Sequence, residues 1–310
     1  VTDAFDLLES DSVYSRAKAQ LYSAYVFSQQ GRFEDSRRAI EESRVAFREL
    51  GCGWEEAVGW VLAAHCAIAV GDPGGAATAC AEASRQLERV GDPWLLVHTE
   101  AILGAVAQGE QRFADACDHL ARAATQSEQS GFAATEAYHL ANLGRAQQQH
   151  GALPAAADTL HRAMDVARGT GDLRVTALAR MRLSRVLLAQ GDRAGALTIL
   201  QAAREWYHEA GGGDGTRLAD CLFAAMGGSS DPGDATAQLE SVLAEAREVG
   251  DTEVQVLALD ALARTRASDG DGDGAVALLA AADALMPAAL HHVTDADRLD
   301  ARETRRLLGC

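Results

Sequence analysis

Residues 173–190, LRVTALARMRLSRVLLAQ, hold four arginines and no acid. The chain around them is acidic, with 28 Lys and Arg against 45 Asp and Glu and a formal charge of −17. A local reversal of sign on that background marks a place where an anion could be held. Two series of residues, spaced by 40 with a last step of 39, converge there. One reads Tyr25, His65, Ala105, Arg145, Arg185, Ala225 and Arg264. Its neighbour reads Tyr22, Leu62, Ile102, Asn142, Arg182, Leu222 and Ala261. If the spacing is a structural repeat, Arg145, Arg182 and Arg185 cluster with Asn142. A guanidinium offers paired donors that match a carboxylate or phosphate. The alternative is that these arginines pair with Glu or Asp of a neighbouring helix. Tyr22, Tyr25, His65, His98 and Tyr138 would add aromatic contacts to a ligand, or else pack between helices.

The elements that must position these groups are legible from glycine. Gly31, Gly71, Gly151 and Gly191 lie on one 40-residue grid, and Gly51, Gly91, Gly131, Gly171 and Gly211 on another. Each unit reads as helix, short turn, helix, short turn, the first with helices over about 12–30 and 33–50. Glycine suits such turns because it adopts positive φ without a Cβ clash. Gly-Asp pairs at 71–72, 91–92, 171–172, 191–192 and 250–251 place an Asp where it can cap the next helix.

Small residues confirm the alignment. First helices carry Ala24, Ala64, Gly104, Gly144, Ser184, Ala224 and Ala263 at one position. Second helices carry Ser36, Ala76, Ala116, Ala156, Ala196, Ala235 and Ala275, and seven residues on Ser43, Ala83, Ala123, Ala163, Ala203, Val242 and Ala282. Between them stand Ile40, Cys80, Leu120, Leu160, Leu200, Leu239 and Leu279. Spacings of four and three put these on one helical face, where small side chains permit close approach.

The expected units are 12–51, 52–91, 92–131, 132–171, 172–211, 212–250 and 251–288. Residues 1–11 read as the end of an upstream helix or linker, so the chain reads as part of a longer protein. The sixth unit is one residue short, within MGGSSDPGD, and 211–234 is expected to be the loosest stretch. Pro287 is expected to end a helix early. Residues 289–310 should form a polar capping helix from about 295.

Small residues spaced twelve then seven within antiparallel helix pairs resemble the tetratricopeptide (TPR) repeat. The period of 40 exceeds the usual 34 or so, and the usual closing proline is absent. The resemblance covers about 12–288. It implies an all-α, right-handed superhelical solenoid of about seven helix pairs whose first helices line a concave groove. That groove would take a ligand or peptide through Tyr25, His65, Tyr138, Asn142, Arg145, Arg182 and Arg185. The forty-residue units, Gly-Asp junctions and the ending AVALLAAADAL…DARETRRLLG are also similar to the C-terminal TPR sensor regions of bacterial LuxR-type and antibiotic-regulatory transcription regulators. That likeness implies a protein or peptide partner, or a small effector, in a bacterial cytoplasm. A free-standing assembly scaffold and a receptor for a short signalling peptide are the alternatives.

Other chemistry fares poorly. The charge of −17 argues against binding nucleic acid or an anionic membrane directly. No P-loop or nucleophile elbow stands in the sequence, so neither an enzyme nor a cofactor is expected. DGDGDG at 269–274 starts like a calcium loop, yet its twelfth position is Ala280. His291, His292, Asp295 and Asp297 lack a diagnostic metal spacing. The six cysteines contain no CxxC pair and read as small apolar residues of a reduced protein. A homodimer through the N-terminal end is the expected assembly, if there is one.

Overall fold

In the computed structural model, residues 13–211, 213–228, 231–289 and 293–309 are described. Every element among them is an α-helix. A first compact unit ends at Phe132 and contains α1 (Val13–Gln29), α2 (Phe33–Glu49), α3 (Gly53–Ala69), α4 (Pro73–Val90), α5 (Pro93–Gly109) and α6 (Phe113–Gln129). A second begins at Ala133 and contains α7 (Ala133–Gln149), α8 (Leu153–Thr170), α9 (Leu173–Ala189), α10 (Arg193–Ala210), α11 (Gly213–Ala225), α12 (Pro232–Val249), α13 (Thr252–Ser268), α14 (Gly272–Ala289) and α15 (Leu299–Leu308). Within each unit consecutive helices pack as antiparallel pairs. Alternate helices also touch, among them α1 with α3, α7 with α9 and α11 with α13.

The turns follow from local chemistry. Gly71 ends a helix at φ +75°, and Asp72 accepts a hydrogen bond from the Gly75 amide at 2.8 Å. Asp92, Asp172, Asp192 and Asp251 cap their helices in the same way. Each such cap is worth about 1 kcal/mol.

The aligned small residues form the seams. Ala64, Ala76, Ala156, Ala196, Ala203 and Ala282 have no exposed surface, and Leu160 and Leu200 between them are equally buried. Gly144 lies against Leu160 so closely that an added Cβ would stand 2.5 Å from the Leu160 Cγ. Small residues at these positions therefore set the distance between the helices of a pair.

Three expectations need correction or fall elsewhere. α14 runs on to Ala289, so Pro287 sits in its last turn rather than beyond a shortened helix. The last helix begins at Leu299, not near 295, because residues 293–298 form a turn held by Thr294 and Asp297. Residues 1–11 lie outside those described, as do 212, 229 and 230 within the stretch expected to be loosest.

Candidate functional site

The seven residues singled out from the sequence fall in both units. In the first, Tyr25 on α1 and His65 on α3 line one hollow of about 230 Å³ together with Phe33, Leu62 and Cys66. Tyr25 and its neighbour Tyr22 are 53% and 66% exposed. No charged residue lines this hollow.

The other five meet in the second unit, where α7 packs on α9. Arg182 on α9 donates through Nη1 to the Asn142 Oδ1 on α7 at 2.8 Å. Tyr138, one turn before Asn142, faces Arg174 of α9, whose guanidinium carbon lies 5.8 Å from the ring centre. Tyr138 remains partly exposed.

Arg145 and Arg185 are engaged by the chain's own acids. Arg185 donates to Glu253 at 3.2 Å and pairs through Nη2 with Asp297 Oδ1 at 2.6 Å. The Arg145 Nη2 stands 3.7 Å from Glu253 and 3.9 Å from Asp297. The Asp297 side chain is wholly buried, and Arg185 is 4% exposed. Gln148 donates to Asp297 Oδ1 at 3.4 Å, while the Thr294 amide and hydroxyl donate to Oδ2 at 2.9 and 3.0 Å. Burial opposes ionisation of Asp297, but Arg185, Arg145 and Thr294 outweigh it and hold the carboxyl below its ordinary value. Two of the three clustered arginines thus hold an internal carboxylate. The site that the sequence left open to a ligand is partly filled by the segment before α15.

Arg182 is different. Its partner Asn142 is neutral, and no carboxylate among the described residues lies within 4.0 Å of it. Burial, and then the neighbouring Arg145, lower its pKa, against the attraction of Tyr138, Glu253 and Tyr207.

The polar cap repeats this pairing. Arg298 grips Asp260 of α13 with Nε and Nη2, both at 2.7 Å, and reaches Asp283 of α14 at 2.5 Å. Arg264 donates to Asp300 at 2.7 Å. These contacts place α15 against α13.

Sequence reasoning missed Glu253 and Asp297 as partners of the arginines. Glu253 follows the last Gly-Asp junction by two residues, and Asp297 lies outside the repeat, so periodicity could not bring either to α7 and α9. Asp297 entered only as part of a metal candidate. His291 and His292 of that candidate lie outside the described residues, and no cluster fit for a metal occurs among those described. In the calcium-like turn Asp271 caps the Gly274 amide at 2.9 Å and faces Arg266. No helix among the described residues is long and apolar enough to cross a membrane.

The fold and its repeated seams define a TPR-like helical-repeat protein. Solved structures of the same fold resemble it along most of its length. Over 91% of this chain it matches a Signal Transduction ATPase with Numerous Domains (STAND) protein with a tetratricopeptide repeat sensor from Pyrococcus horikoshii, at 13% identity and a TM-score of 0.67. The chain spans 44% of that protein. Aspartyl phosphate phosphatase F from Bacillus subtilis matches with a TM-score of 0.75 at 11% identity, covering 90% of this chain and 72% of that one. NprR in complex with its cognate peptide NprX matches at 0.52 and 12% identity, covering 97% and 84%. No family model and no curated protein matches the sequence.

Proposed function

We propose that this chain is a protein- or peptide-interaction module, the ligand-sensing or partner-binding TPR domain of a bacterial transcriptional regulator. The observation that carries this reading is Arg182. It is a partly buried cation on α9 that donates to Asn142 of α7, the helix that also carries the accessible ring of Tyr138. No carboxylate among the described residues lies within 4.0 Å of it, so an anionic ligand group would give it a direct partner. The likeness to a STAND protein's TPR sensor supports the regulatory setting, and with it a cytoplasmic one. The NprR complex favours a second reading in which the ligand is a short signalling peptide. In both, occupancy of the α7–α9 face changes how the array docks on the rest of the protein.

Selection from a random peptide library on the immobilised chain tests this reading. Enriched peptides should slow backbone hydrogen exchange in α7 and α9. Enrichment that fails, or protection that spares both helices, contradicts it.

A further inference from the structure

A hollow of about 480 Å³ opens in the first unit, walled by α2, α3 and α4. Ala63 lines it at a place where every later unit has a large side chain, Leu103, Leu143, Leu183, Phe223 or Leu262. Leu143, Leu183 and Leu262 are buried at that place. Alanine therefore leaves a space that the repeat otherwise fills. A pocket of this size holds a small organic molecule.

Two lining residues act as one wall. The Arg44 guanidinium packs on the Trp60 ring. Gly59 lets it do so, since an added Cβ there would stand 2.5 Å from the Arg44 Cγ. Each member of the pair keeps a buried donor, the Arg44 Nε–H and the Trp60 Nε1–H, without an acceptor among the described residues. The Arg44 side chain is 7% exposed, so solvent does not serve its donor. Buried donors without acceptors are rare and costly. The charges of the lining, by contrast, are engaged. Arg44 pairs through Nη1 with Glu41 at 3.1 Å, Arg37 pairs with Glu34 at 2.6 Å, and Asp72 caps α4 through the Gly75 amide. Phe33, Ile40, Ala67 and Val70 add apolar surface.

We infer that this hollow binds a small uncharged molecule with a flat apolar body and a carbonyl oxygen. The body lies against Phe33, Ile40 and Ala63, and the oxygen accepts from the Trp60 Nε1–H and the Arg44 Nε–H. The acceptor reaches these donors as the Arg44 guanidinium slides on the ring, a shift that its partner Glu41, 61% exposed, follows at the surface. Glu34, Glu41 and Asp72 disfavour an anion, and a cation would compete with the cap that Asp72 makes. The site uses no residue of α7 or α9, so it stands or falls independently of the function proposed for them.

The test is an NMR titration of the indole Nε1–Hε1 signals of Trp54, Trp60, Trp94 and Trp206 with acetanilide, toluene, benzoate and benzylammonium. Acetanilide should move the Trp60 signal downfield and saturably and leave the other three still. Its half-saturation should lie at least about fivefold below that of toluene, which has no acceptor, and below those of both ions. Ala63→Leu, which restores the side chain of the later units, should abolish the response with the unfolding midpoint nearly unchanged. Trp60→Phe, followed through the backbone amide of Ala67, should weaken acetanilide at least about fivefold. A Trp60 signal that stays still, that responds alike to acetanilide and toluene, or that prefers either ion overturns the assignment. So does a response in Ala63→Leu equal to that of the parent, or undiminished binding by Trp60→Phe.

Discussion

The Arg185 guanidinium and the Asp297 carboxylate meet at 2.6 Å with Asp297 fully buried, although 112 residues separate them in the chain. One end of this pair lies in the repeat and the other in the segment that closes it. The pair therefore ties the cap to the repeat. Removing one partner strands a buried charge. Arg185→Met should lower unfolding stability in urea by about 3–5 kcal/mol, and Arg185→Met with Asp297→Leu should recover most of the loss. A single variant as stable as the parent would show that the pair does not hold the cap.

The same pair sets a pH dependence. The folded-state pKa of Asp297 lies below its unfolded value, so its contribution is complete above the unfolded value, about 3.9. It fades as pH falls through the lower folded value. The stability gap between the parent and Asp297→Asn, followed by urea unfolding, should be constant from pH 7 to about pH 5 and narrow below about pH 4. A gap that instead closes between pH 5 and 7 would contradict a depressed pKa.

Gln111 occupies the place on the glycine grid that the sequence leaves without glycine, and it takes φ +59°. A side chain in that region is strained. Gln111→Gly should stabilise the chain by about 0.5–1 kcal/mol, read as a raised unfolding midpoint. Gly71→Ala, at φ +75°, should lose a similar amount.

Gly144→Ala tests the seams. Alanine is the better helix former by about 1 kcal/mol, yet its Cβ would meet Leu160 at 2.5 Å. Overpacking should win, for a net loss of about 1–2 kcal/mol by urea unfolding. A gain would mean that α7 and α8 separate more easily than their packing indicates.

Burial pushes the Cys80 thiol up to about 12 and the Cys117 thiol to about 11. Alkylation with iodoacetamide at pH 8, followed by mass mapping, should modify Cys80 at least about a hundredfold more slowly than the partly exposed Cys52. Equal rates would show that α4 opens readily.

How much of this was legible beforehand varies with the kind of interaction. Repetition exposed the seams, because Ala64, Ala156 and Leu160 answer to a packing constraint that recurs in every unit. The Asp caps were legible for the same reason, since Asp172 and Val175 are local neighbours. The meeting of Asn142 with Arg182 follows from one repeat stacking on the next. Partners drawn from outside the period were not legible. Asp297 reaches Arg185 only because residues 293–298 turn back onto α7 and α9. The Arg44 guanidinium lies 3.1 Å from the centre of the Trp60 ring, a contact no spacing announces.

The central claim is that α7 and α9 present Arg182 and Asn142 to a ligand. Isothermal titration of a library-selected peptide into the parent chain, Arg182→Gln and Asn142→Ala measures it directly. Affinity should fall at least about tenfold in both variants, with the unfolding midpoint nearly unchanged. Equal affinity in all three proteins would contradict the claim.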